Sequence, residues 1–265
     1  MTGSAALGSR RLRRTINSGA SLLVLLLLVG CTRSLPPTLH DPPRTATSTT
    51  AGPNQSMIHL ARVESGVVVV DLGWWGAADA LQQGLEELGA APDDVVAVFL
   101  THAHRDHVGA WRELRHAPFV MALAEVDLFL GQERPEGILP RVARRIVPTD
   151  LPRPGEVEVV PFASDTGFVF GADTVYAFNV PGHTPGSAAY LLRGTLFVGD
   201  AVAHSPTGGF QPAFAAYSDD TSQARVSLHT LRARLDRHDV EYVCTAHARC
   251  NPPDPEFWSE VLSNR

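Results

Sequence analysis

The chain has 265 residues, 44% of them hydrophobic and 19% charged, and a formal charge of −6. That suffices for one full hydrophobic core and is short for two large domains, so one folded domain is expected. The acidic balance argues against nucleic acid as a partner, and the lack of any lysine excludes Schiff-base chemistry and a Walker-type phosphate loop, both of which need an ammonium group.

The amino terminus sets Arg10, Arg11, Arg13 and Arg14 ahead of an apolar run at 22–29, followed by Gly30-Cys31. A basic run, a short apolar run and small residues describe an export signal. Leu28-Val29-Gly30-Cys31 resembles the bacterial lipoprotein signal, which implies a lipidated Cys31 as the mature first residue and anchorage to the cell envelope, at the outer membrane or another extracytoplasmic face. An uncleaved anchor is the alternative, although the run is shorter than the roughly 20 residues a span needs. Residues 1–30 are therefore expected to be a signal peptide. Residues 31–56, rich in Pro, Ser and Thr, are expected to be a disordered tether, and 57–265 the folded domain.

From Met57 the pattern becomes short apolar runs. Strands are predicted at 67–70, 95–100, 174–180, 188–192, 196–198 and 240–244, and helices at 77–88, 219–237 and 255–262. Asp71, His102, His183, Asp200 and His247 each follow an apolar run, and groups at strand ends can converge on one rim of a sheet.

The densest signal is His102-Ala103-His104-Arg105-Asp106-His107, three histidines and an aspartate in one tight turn after a strand. Neutral imidazole and carboxylate are the ligands that zinc takes in hydrolytic sites. Together with Pro181-Gly182-His183-Thr184-Pro185-Gly186-Ser187, Phe197-Val198-Gly199-Asp200 and the late His247, this pattern resembles the metallo-β-lactamase superfamily over roughly residues 57–250. The resemblance implies an α/β fold, the four-layer αββα sandwich, with two Zn2+ per chain. It implies that one zinc is held by His102, His104 and His183, the other by Asp106, His107 and His247, and that Asp200 bridges them. Asp71 resembles the aspartate that hydrogen-bonds a ligand histidine and fixes its tautomer. Gly182 and Gly186 are read as letting the backbone approach the metal. His247 sits in a setting unusual for that superfamily, and His40, His59, His116, His229 and His238 are taken as surface or packing residues.

The implied chemistry is hydrolysis of an activated acyl bond, a lactone, ester, thioester or strained amide of a small molecule, by a metal-bridging hydroxide, with Asp106 as the catalytic proton carrier. β-Lactamase activity, phosphoester or sulfate ester hydrolysis, and a non-catalytic metal-binding module are the alternatives. Where β-lactamases of the superfamily usually carry Cys or Ser this chain has Asp200, and where acyl-homoserine lactonases carry a tyrosine it has Ala203. Trp74, Trp75, His204, Phe210, Phe214 and Tyr217 are candidate substrate-pocket residues, with core-edge packing as the other reading for the aromatics. Cys244 and Cys250 flank His247, and a disulfide, two buried thiols or an extra metal contact are all consistent with the sequence. Oligomeric state is left open.

Overall fold

The computed structural model describes residues 56–74, 76–134, 141–142, 149–205, 209–248, 250–253 and 255–263, with the side chain of His204 left out, and the backbone of 47–51. Residues 1–30, expected from the sequence to be a signal peptide, lie outside the described residues, as do Cys31 and Trp75. In chain order the strands are β1 (Thr47–Ala51), β2 (Ser56–Val63), β3 (Gly66–Val70), β4 (Val95–Phe99), β5 (Phe119–Ala122), β6 (Val159–Phe162), β7 (Thr166–Phe170), β8 (Asp173–Asn179), β9 (Ala188–Leu192), β10 (Thr195–Gly199), β11 (Val202–His204), β12 (Phe210–Pro212) and β13 (Tyr242–Thr245). The helices are α1 (Ala77–Glu87), α2 (Val126–Phe129), α3 (Thr221–Leu235) and α4 (Phe257–Val261). All belong to the unit Leu35–Arg265.

Two mixed sheets result, ordered β1-β2-β3-β4-β5-β6 and β13-β10-β9-β8-β7, with a small β11-β12 ribbon beside them. In the first sheet β3 to β6 are parallel and β1 and β2 antiparallel. In the second, β13 lies parallel to β10 and the rest alternate. Strand β1 falls inside the stretch read as tether, where a Thr/Ser-rich segment supplies β-branched residues and an antiparallel ladder to β2.

Strands that are apolar at every position must be covered on both faces, and the core follows that rule residue by residue. Val67, Val69, Val98, Phe119 and Met121 face the layer of Leu81 and Leu85 from α1. Their neighbours Val68, Val70, Phe99, Val120 and Ala122 face the second sheet, meeting Ala188, Tyr190, Leu192 and Phe197. Ala189, Leu191, Leu196 and Val198 turn outward onto Leu228, Leu231 and Leu235 of α3. The order helix, sheet, sheet, helix is the expected αββα sandwich. Helix α3 starts where Asp220 caps it, its carboxylate accepting from the Gln223 N–H at 2.9 Å. Among the described residues no helix is long and apolar enough to cross a membrane.

Candidate metal centre

Strand ends deliver the polar residues to one rim. Asp71 directly follows β3, Asp200 directly follows β10, and His102, His183 and His247 follow β4, β8 and β13 within a few residues. The two sheets are tied there by backbone bonds, Ala188 N–H to the Thr101 carbonyl at 2.8 Å and Met57 N–H to the Ala246 carbonyl at 2.8 Å.

His102, His104 and His183 form the first group. His102 Nε2, His104 Nδ1 and His183 Nε2 lie 3.1 Å from one another in all three pairs. Three ring nitrogens at that spacing fall within reach of one ion at the zinc–nitrogen length of about 2.0–2.1 Å. Burial, reinforced by the neighbouring imidazoles, holds His102 well below its ordinary pKa, and burial with His183 beside it pushes His104 down to about 3. The rings are therefore neutral and present lone pairs. Nitrogen protons cannot satisfy three mutual contacts of this kind, whereas a cation can, so the donor set fits zinc.

Asp106, His107 and His247 form the second group, their ligating atoms within 4.8 Å of one another. Asp200 lies between the groups: Oδ2 is 3.4 Å from His183 Nε2 and 3.7 Å from His107 Nε2, and Oδ1 is 3.2 Å from His247 Nε2. His107 Nε2 is buried without a hydrogen-bond partner, a polar atom aimed at this space. Burial opposes charge on His107, yet Asp71 and Asp200 outweigh it and hold its pKa well above the ordinary value. Burial likewise opposes charge on Asp200, but His247 and His107 hold its carboxyl well below the carboxylate range. Two acids and two imidazoles that attract positive charge fit a second cation.

Around these groups a shell of hydrogen bonds sets orientation. Asp71, in the left-handed region at φ 57°, accepts from Thr101 N–H at 2.8 Å and Thr101 Oγ1–H at 2.7 Å, and its Oδ2 is 2.9 Å from His107 Nδ1. A proton on His107 Nδ1 leaves Nε2 facing the site, as the sequence reading expects. A non-glycine residue held at such φ is a strain that functional sites tolerate. Gly199, at φ 53°, permits the approach of β10, since a Cβ there would sit 2.4 Å from Thr101 Oγ1.

Sequence reasoning misses Glu125 and Ser218. Ser218 Oγ is 3.5 Å from His183 Nδ1 and donates to the Phe214 carbonyl at 3.0 Å. Glu125, fully buried, accepts from backbone and hydroxyl groups beside His102, His104 and His183. A buried acid in the apolar stretch 119–130 is the signal that marks it. The glycines of the His183 turn serve packing: a Cβ on Gly182 would meet the Ala224 backbone at 2.3 Å, and one on Gly186 would meet Glu125 N at 2.4 Å.

The pocket expectations divide. Phe210 is buried in the outer core, edge-on to Phe257 with centroids 4.7 Å apart; α4 supplies an aromatic partner that local sequence does not reveal. Trp74 is also buried, its ring beneath the Arg105 guanidinium at 4.2 Å, and braces the histidine-rich turn. Phe214 is exposed and Tyr217 half-buried. His204 ends β11. Cys244 and Cys250 form a disulfide across His247. Buried His59 packs against it, Nδ1 3.7 Å from Cys250 Sγ and Nε2 3.4 Å from the Thr245 carbonyl.

Residues 51–247 match the family profile described as "Metallo-beta-lactamase superfamily". The chain is 27% identical over 152 residues to the probable polyketide biosynthesis zinc-dependent hydrolase BaeB of Bacillus velezensis, covering 56% of this chain and 55% of that protein. It is 25% identical over 195 residues to the N-acyl homoserine lactonase AttM of Agrobacterium fabrum, covering 70% and 69%. It thus spans between about half and two thirds of the length of these relatives. Among solved structures, an archaeal metallo-beta-lactamase superfamily protein from Sulfolobus tokodaii aligns with TM-score 0.62 at 19% identity, over 84% of this chain and 88% of that one. The BLEG-1 B3 metallo-beta-lactamase aligns with TM-score 0.61 at 22% identity, over 78% and 93%. At these identities the structures speak for the fold.

Proposed function

The chain belongs to the metallo-beta-lactamase superfamily, and from that premise we propose that it is a zinc-dependent hydrolase which cleaves an activated acyl bond of a small molecule at a two-metal centre. The observation that carries the reading is the pair of ligand groups sharing Asp200 on one rim of the sandwich. His102, His104 and His183 would hold one zinc, Asp106, His107 and His247 the other, with Asp200 between them. Bound there, zinc supplies Lewis acidity, making water a nucleophile near neutral pH and polarising the acyl oxygen.

The chain's own residues do the rest. Asp71 fixes the His107 ring so that Nε2 faces the site. Asp106, part-exposed and 3.7 Å from His247 Nε2, is held ionised because His107 and His247 outweigh its burial. It can therefore accept a proton at its carboxylate and return it to the leaving group. Exposed Phe214, whose carbonyl is bonded to the serine beside His183, offers an apolar rim for the acyl part, with Tyr217. Trp75 and His204 are proposed for the same rim on sequence grounds.

The same reading makes the protein an exported lipoprotein, with signal peptide 1–30, lipid on Cys31 and a tether leading to the folded domain. The order of basic, apolar and small residues supports it, and a disulfide is at home in an oxidising compartment. The functional test is acid release from a panel of lactones, aryl esters, thioesters and β-lactams. Turnover of one class, abolished by chelation and by Asp106→Ala, is expected; no release from any member by zinc-loaded protein contradicts an acyl hydrolase. Radiolabelled palmitate incorporation, lost in Cys31→Ala, tests the anchor.

A further inference from the structure

Glu125 ends the turn Leu123–Glu125 that follows β5, and no part of it reaches solvent. Its two oxygens engage two separate segments of the rim. Oε1 accepts from the Ala103 N–H at 2.7 Å, midway between His102 and His104. Oε2 accepts from the Thr184 hydroxyl at 2.7 Å and the Gly186 N–H at 3.1 Å, immediately after His183. We propose that Glu125 is a positioning residue for the three-histidine site: one carboxylate that sets the His102–His104 segment against the His183 turn, at the separation where their ring nitrogens meet.

The turn is shaped around this carboxylate. A side chain at position 186 would bring its Cβ within 2.6 Å of Glu125 Oε2, so glycine is what admits the oxygen. Ser187 Oγ completes the turn from the other side, accepting from the Thr184 N–H at 2.9 Å. Burial pushes the Glu125 carboxyl up to about 7 against three hydrogen bonds that favour its charged form. Apolar packing would join the two segments without the cost of burying a carboxylate; what the carboxylate adds is direction, since each oxygen accepts from one segment of the rim. The ligand turns come from different sheets, β4 from the first and β8 from the second, so their spacing is not set by either sheet alone.

This inference rests on reading the three-histidine group as a metal site, and the test separates the two. Purified apoprotein is titrated with Co2+, following the d–d absorption, for wild type, Glu125→Gln, Glu125→Asp and Glu125→Ala. The glutamine keeps the shape but turns one acceptor oxygen into a donor. Expected is a roughly 10-fold loss of affinity at the three-histidine site in Glu125→Gln and about 100-fold in Glu125→Ala. The Asp variant, which keeps the carboxylate, should recover part of the loss, and the Asp106–His107–His247 site should keep its affinity. Turnover of the metal-loaded variants should show a lower kcat at unchanged KM. Wild-type affinity and spectrum in the Gln variant would overturn the proposal, as would equal losses at both sites together with a lowered Tm. If Glu125→Ala does not fold, the Gln variant decides. A wild-type protein that takes up no metal would overturn the site reading itself.

Discussion

His102, His104 and His183 bring three buried ring nitrogens to 3.1 Å of one another, whereas Asp106, His107 and His247 are spaced more widely, with 40% of the His247 side chain exposed. The first group is enclosed between the sheets, with Glu125 and Ser218 bonded around it. The second opens to solvent at Asp106 and His247, the latter carried on a loop that the disulfide closes. A closed, neutral donor set is preorganised to hold a cation. An open, acidic one would leave room beside a bound metal for water and substrate, as catalytic sites require. The contrast lies in the exposure of His247 and Asp106, since His107 is as buried as His102.

The comparison breaks at its ligands first. His102→Ala should remove the first metal and reduce hydrolysis to background, read by metal content and acid release together. Asp71→Asn should act on the other half: the amide no longer dictates a proton on His107 Nδ1, so affinity at the second group should fall about 10- to 100-fold while the first group holds. Metal titration of the two variants shows whether the halves are separable.

Acid sharpens the contrast next. Burial lowers His59, beneath the His247 loop, to about 4 from an ordinary 6.5. Its folded pKa lies below its unfolded one, so its neutral form is compatible with the fold above pH 6.5. Stability then falls as pH drops from 6.5 towards 4, by about 3 kcal/mol in all. Relative to His59→Phe, chelated wild-type protein should lose stability to urea over that window and no further below it. A difference that stays constant with pH would show that His59 does not titrate this way.

The disulfide comes third. Cys244→Ser/Cys250→Ser opens a loop whose closure contributes about 2 kcal/mol by chain entropy. A lower Tm and weakened binding at the second group are expected, with the three-histidine affinity unchanged. The Val243–Asn251 backbone pair, bonded at 2.7 and 2.9 Å just outside the loop, limits the damage. The smallest effect is expected from Phe214→Ala, a several-fold rise in KM at constant metal content, since about 1 kcal/mol of apolar contact is at stake.

Most of the centre was legible because its residues announce themselves by type and by place, each just beyond an apolar run. The buried strands β3, β4, β9 and β10 were legible for the same reason, continuous apolar runs bounded by turn residues. β1 was hidden by its Thr/Ser composition and β6 by Pro161, which suits an edge strand. The sequence could not choose between pocket and core edge for Phe210 and Trp74, because their placement depends on long-range partners, Phe257 and Arg105, that no local pattern names. Glu125 was invisible for a related cause: a carboxylate in an apolar stretch becomes informative only once Ala103, Thr184 and Gly186 are seen around it.

The most direct measurement is a stepwise zinc titration of the apoprotein with hydrolysis followed in the same samples. Two equivalents should bind, the first more tightly, with turnover of the susceptible acyl substrate rising to its maximum only as the second fills. Saturation at one equivalent, or full turnover reached before the second ion binds, would contradict a two-metal centre divided between a holding half and a reacting half.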